Sequence, residues 1–157
     1  MGRLRAAGSS PVNATLGAMS QPPEKIDLWH AMSDLYLDEE MTTGGYLHIA
    51  DRLASSSMSL DELDAVLFNE VHPVLCWNLK AVAGHWGDFG KEWVAEQITK
   101  ELKSIPKKGW IARIREKQRR TEAERLKDLI RCDWEKVKLL IDVIRRGGLH
   151  EIAKKIT

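Results

Sequence analysis

The feature that most constrains this chain is an apolar stripe near its C-terminus. Leu126, Ile130, Trp134, Val137, Ile141 and Ile144 recur at spacings of three and four, up to Arg145-Arg146. That spacing gives a helix one apolar face. Thr121-Glu122-Ala123-Glu124 ahead of it reads as a capping box. The two arginines suit the negative end of the helix dipole, and Gly147-Gly148 stops the winding. About 25 residues at ~1.5 Å each make a helix roughly 37 Å long. A face of that length must be covered, either by the rest of the chain or by a second copy. Leu126, Ile130, Asp133, Val137, Leu140 and Ile144 also fit a heptad seam with Asp133 as a polar break. A homodimer through residues 121–146 is therefore one expectation.

The preceding chain supplies more helices. Pro23-Glu24 suits a helix start, and a helix to about Leu37 carries Ile26, Trp29, Met32, Leu35 and Tyr36 inward. Thr42 and Thr43 can open the next, where Tyr46, Ile49, Ala50 and Leu53 repeat at helical spacing. Ser59-Leu60-Asp61-Glu62 is a capping box for a helix through Leu63, Val66, Leu67 and Val71. Pro73 disfavours helical geometry at His72, which predicts a change of direction there. Pro73 to Ala83 is apolar nearly all round, so it reads as a buried central helix ending at Gly84. Asp88 or Gly90 caps another helix, with Val94, Ile98, Leu102 and Ile105 on one face, ended by Pro106. Leu149, Ile152 and Ile156 fit a short last helix. No segment alternates with period two, and no hairpin dipeptide is present. The expected class is all-α, a compact bundle of about six helices with a long C-terminal helix.

Residues 1–22 are rich in Gly, Ser and Pro without periodicity, and read as a disordered extension. They lack the apolar core of a signal peptide, and Met19 is a second candidate start. Residues 23–157 read as a single helical domain, with 23–106 as its core and 107–157 as a basic helical part. A chain of 157 residues can bury roughly 70% of its unfolded surface, so its core needs no disulfide, metal or cofactor. Two cysteines, Cys76 and Cys132, make no secreted-type framework, which points to a reducing cytoplasm. Apolar runs such as LLIDVI fall far short of the roughly 20 residues of a membrane span.

Charge is unevenly placed. Residues 1–90 carry five basic and twelve acidic side chains, residues 91–157 nineteen and eleven. Such a split marks a basic partner-binding region or two mutually attracting halves. Lys107, Lys108, Trp110, Arg113, Arg115, Arg119 and Arg120 form a basic segment with an interleaved indole, able to hold phosphate and stack a base. Against nucleic acid stand a pI near 7.8 and the lack of a helix-turn-helix, zinc-finger or ribonucleoprotein motif. Asp34, Asp38, Glu39 and Glu40 can make an acidic docking face. Among the six tryptophans, Trp29, Trp77 and Trp93 fit apolar helical positions, whereas Trp86 is flanked by glycine and is a possible binding anchor.

Enzyme chemistry is poorly signalled. His72 and Cys76 are four residues apart, with Glu70, His85 and Asp88 nearby, but the spacing matches no strong zinc pattern. A cysteine on an apolar helix has a raised pKa and low reactivity. Solvated faces and dipole compensation account for the carboxylates.

Three stretches, WHAMSDLYLDEE, IADRLASSSMSLDELDAVLFNEVHPVL and NLKAVAGHWGDFGKEW, resemble an uncharacterised family of small bacterial helical proteins, a domain of unknown function. The resemblance covers about Trp29 to Trp93 and departs from the family pattern at Asp88 and Gly90. It implies a compact helical fold and supplies no activity. The expectation is a non-enzymatic cytoplasmic module that binds an unidentified protein partner, as an immunity or accessory factor, using Asp34, Asp38, Glu39, Glu40 and Trp86. The alternative is nucleic-acid binding through residues 100–120.

Overall fold

Five helical segments account for the regular structure in a computed structural model that describes residues 22–37, 40–80, 88–105 and 108–148. Helix α1 spans Pro23–Ser33 and tightens into a 3-10 turn at Asp34–Tyr36. Its inner face buries Leu28, Trp29, Ala31 and Met32, and the turn buries Leu35 and Tyr36. Helix α2 is Thr43–Ala54, opened by the Thr42 hydroxyl, which accepts from the Gly45 amide at 3.2 Å. It buries Ile49, Ala50 and Leu53, as the helical spacing predicts.

Helical winding over residues 60–80, α3, changes pitch three times. An α-helix at Leu60–Val66 passes into a π-turn at Leu67–Val71, an α-turn at His72–Leu75 and a 3-10 segment at Cys76–Lys80. The capping box at its start is complete: the Glu62 amide donates to Ser59 Oγ at 3.2 Å, and the Ser59 amide donates to Glu62 Oε2 at 2.8 Å. Ser59→Ala is expected to cost about 1 kcal/mol in urea unfolding.

The expected change of direction before Pro73 does not occur. His72 keeps helical angles, φ −57° and ψ −45°. Proline lacks an N–H and crowds the carbonyl four residues back. The π-turn supplies the relief, because the His72 amide bonds to the Leu67 carbonyl five residues away and so widens the helix where the ring must fit. The buried helix expected over Pro73 to Ala83 is thus the narrowing end of α3. Leu75 and Cys76 are buried there, Val74, Trp77 and Leu79 only partly. Residues 81–87 lie outside the described residues.

Helix α4 is Lys91–Leu102, entered from Gly90, and buries Val94 and Ile98. Leu102 and Ile105, expected on the same inward face, are instead exposed, because α4 runs past the edge of the core. Trp93, also expected inside, is 44% exposed. Its ring stacks on buried Phe89, with centroids 5.7 Å apart.

Helix α5, Trp110–Arg145, is 36 residues long, about 54 Å. The expected start at Thr121 is an interior position: the Thr121 hydroxyl donates to the Lys117 carbonyl at 2.9 Å, so it caps nothing. The basic segment and the apolar stripe are one helix. Past its end, the Gly147 amide donates to the Ile144 carbonyl at 3.0 Å, with Gly147 at φ +73°, a conformation glycine adopts without strain. The last helix expected at 149–156 lies outside the described residues.

Helix α5 lies along α2, while α1 packs on α4, α2 and the π-turn. The stripe residues Leu126, Ile130, Trp134, Val137 and Ile141 are buried within this single chain. Leu126, Ile130 and Val137 therefore serve the chain's own core and are unavailable to a dimer seam. Asp133 accepts from the Tyr46 hydroxyl of α2. Arg145 donates to the carbonyls of Leu53, Ala54 and Ser56, closing the C-terminal end of α2.

Polar tips of buried aromatics reach partners at the core boundary. Trp29 Nε1 donates to Glu70 at 2.7 Å, and Lys25 pairs with the same carboxylate at 2.8 Å. Trp134 Nε1 donates to Asp64 at 2.5 Å, with Lys138 at 3.3 Å. Burial of these rings thus leaves no lost hydrogen bond to offset.

Candidate interaction surface

Large apolar side chains left in water concentrate at one end of the molecule. Among the described residues eight large hydrophobic side chains are exposed, and five of them, Leu102, Ile105, Trp110, Ile111 and Ile114, fall at the end of α4 and the start of α5. Ile105 is 86% and Trp110 72% exposed. Monomers rarely gather such side chains in one place without a use for them.

Helix geometry explains the exposure. Helix α4 stops at Leu102, and the side chains of Glu101 and Arg119 form an ion pair there. Beyond that pair α5 continues back to Trp110, about 14 Å of helix at ~1.5 Å per residue. This overhang has no buried residue before Leu126. At ~100° per residue, Trp110 and Ile114 point away from the face that carries Leu126 and Ile130 into the core, whereas Ile111 lies at its edge, about 60° from Leu126.

Charges around these side chains divide into two groups. Arg119 pairs with Glu101 and, at 3.3 Å, with Glu116, and Arg120 pairs with Glu116 at 2.9 Å. The hydrogen bond from Arg120 holds the Glu116 carboxyl below the usual carboxylate range. These two arginines are committed within the chain. Lys108, Arg113 and Arg115 are exposed and enter no ion pair among the described residues. Arg113 is one helical turn from Trp110, on the same side of α5. Lys107 and Trp86 lie outside the described residues.

Of the expected acidic face, Asp34 and Glu40 fall among the described residues. Asp34 is half-buried, 3.7 Å from Arg52, and burial raises its carboxyl above the usual range. It belongs to a bridge between α1 and α2: Arg52 donates to His30 Nδ1 at 2.9 Å, and His30 Nε2 lies 3.3 Å from Asp88. Sequence reasoning missed this cluster, although His30 and Asp34 stand one helical turn apart. Glu40 is exposed on the rim of a cleft of about 440 Å³ floored by Leu35, Leu79 and Ile130. Asp38 and Glu39 lie outside the described residues.

His72, Cys76 and Glu70 are occupied structurally. His72 Nδ1 meets the Tyr36 hydroxyl at 2.9 Å, and Nε2 meets the Ala123 carbonyl at 2.7 Å. Both ring nitrogens are thereby used, and the ring is buried. Burial pushes the Cys76 thiol up to about 11, so it is a protonated packing group at neutral pH. Glu70 serves Trp29 and Lys25. His85 lies outside the described residues, and Asp88 faces His30. Among the described residues no helix is long and apolar enough to cross a membrane.

Fold and surface together define an all-helical domain with a projecting basic helix tipped by apolar side chains. The chain belongs to the family described as Domain of unknown function (DUF7079), whose profile matches residues 23–140. The match runs well beyond the expected Trp29 to Trp93 and takes in the overhang and most of α5. Neither the curated proteins nor the solved structures give a match.

Proposed function

We propose that this domain is a non-enzymatic protein-binding module that docks its partner on the overhang of α5 and the adjoining end of α4. One observation carries the proposal: among the described residues, five of the eight exposed large apolar side chains fall there. Trp and Arg are the residue types that most often dominate binding energy, and Trp110 stands among exposed arginines. The proposed setting is the cytoplasm of a bacterium, as an immunity or accessory factor. Two free cysteines, one buried and one exposed, fit a reducing compartment.

A second proposal, nucleic-acid binding, is favoured by the exposure of Lys108, Arg113 and Arg115 beside Trp110. It leaves Ile111, Ile114 and Ile105 without a role. Immobilised protein, exposed to nuclease-treated and untreated lysate, separates the two. The protein-binding proposal expects a specific protein to be retained after nuclease and through moderate salt. Retention that vanishes with nuclease, or falls steeply and linearly on a log–log salt plot, supports nucleic acid instead.

A further inference from the structure

We infer that the partner surface received by the overhang is an acidic amphipathic helix of another protein, laid along the first turns of α5. This rests on the protein-binding proposal and adds the chemistry of the partner.

Shape comes first. From Trp110 to Arg119, α5 is not flanked by α4, since α4 ends at Leu102 beside the Glu101–Arg119 pair. At ~100° per residue, Trp110, Ile114 and Ile111 fill a sector about 100° wide. Arg113 and Lys117 fall on one side of it, and Arg115 on the other. A narrow apolar seam with charged flanks is what a helix presents to a second helix. Ile105 and Leu102 add exposed apolar surface at the same end.

Charge then selects the partner. Lys100, Lys103, Lys108, Arg113, Arg115 and Lys117 enter no ion pair among the described residues. The acids of this stretch, Glu101 and Glu116, are taken by Arg119 and Arg120. The flanks of the seam are therefore basic and uncompensated, and a complementary helix carries Asp or Glu beside its apolar stripe. A phosphate backbone answers the charge but leaves the isoleucines in water. A bilayer takes the apolar groups, but a seam of three side chains on about one and a half turns is short for an interfacial helix.

The test uses the full chain and four labelled probes, read by fluorescence anisotropy or co-sedimentation. They are a helical Leu/Glu peptide of roughly 20 residues, its Leu/Lys twin, vesicles of phosphatidylglycerol in phosphatidylcholine, and poly(U). The Leu/Glu peptide is expected to bind and its twin not to. Affinity should fall at least ~10-fold in Trp110→Ala and in Arg113→Glu/Arg115→Glu. These side chains are exposed, so circular dichroism should show both variants folded. No binding of the Leu/Glu peptide, equal binding of the twin, or binding of vesicles or poly(U) in its place overturns the inference. Lysate capture separates this failure from failure of the broader proposal. Capture that needs Trp110 but ignores Arg113→Glu/Arg115→Glu keeps protein binding and removes the acidic helix. Absence of capture by the wild type removes both.

Discussion

Trp134→Ala is expected to destabilise the domain by about 3–5 kcal/mol, a large share of the 5–15 kcal/mol that holds a typical domain together. Trp134 is fully buried on the inner face of α5, in the core where the helix meets α2 and α3. Alanine removes the indole and leaves a cavity that three rigid helices cannot close. It also takes the N–H from Asp64, a carboxylate that keeps only Lys138 as a side-chain partner among the described residues. Trp134→Phe separates the two losses. It keeps much of the ring volume and should cost about 1–2 kcal/mol, close to one hydrogen bond to a charged group plus a small void. Urea unfolding measures both, as a lower midpoint at an unchanged slope. An alanine variant that loses under 1 kcal/mol would mean that the stripe is not the core.

The second large effect is set by His72 and acid. The Tyr36 hydroxyl faces Nδ1 and the Ala123 carbonyl faces Nε2. The carbonyl only accepts, so Nε2 carries the proton, and Nδ1 accepts from tyrosine. The neutral ring thus joins the turn after α1, the middle of α3 and α5. Protonation puts a second N–H against the tyrosine hydroxyl in a buried place. Burial is the main reason that the His72 pKa lies below its usual value of 6.5. The unfolded chain therefore binds the proton more readily than the folded one. The stability held by His72 is complete above about pH 6.5 and is lost as pH falls from there through the lower folded value. His72→Ala should cost about 3 kcal/mol at pH 8, by leaving a void beside the Tyr36 hydroxyl, which loses its partner, and the Ala123 carbonyl, which keeps only its bond within α5. Between pH 7 and pH 5 its stability should fall less than that of the wild type. Parallel pH profiles of the two proteins would place the titration elsewhere.

Much of this frame was legible in the residues. The 126–144 spacing announces a buried face, and Ser59-x-x-Glu62 and Thr42 announce helix starts, because caps and periodicity are local properties of the chain. Failures came where the deciding partner is distant. Thr121-x-x-Glu124 has the composition of a cap, yet an unbroken run of good helix formers upstream carries the winding through it. Pro73 reads as a break, and only the π-turn before it shows how the strain is absorbed. The face of α4 was found, but spacing does not say where a neighbouring helix ends, so Leu102 and Ile105 were placed inside. The same ignorance gave Trp110 only as an indole within a basic segment rather than on a projecting surface. Asp34 looked like part of an acidic face because Arg52, eighteen residues on, cannot be seen beside it in one dimension.

On the protein-binding proposal the overhang binds a partner and contributes nothing to the core. This is tested most directly by lysate capture with Trp110→Ala/Ile114→Ala beside the wild type, at equal concentrations of folded protein after nuclease treatment. The specific partner should be retained by the wild type and depleted at least ~10-fold on the variant. Equal retention by both proteins would mean that the partner docks elsewhere and would overturn the proposal.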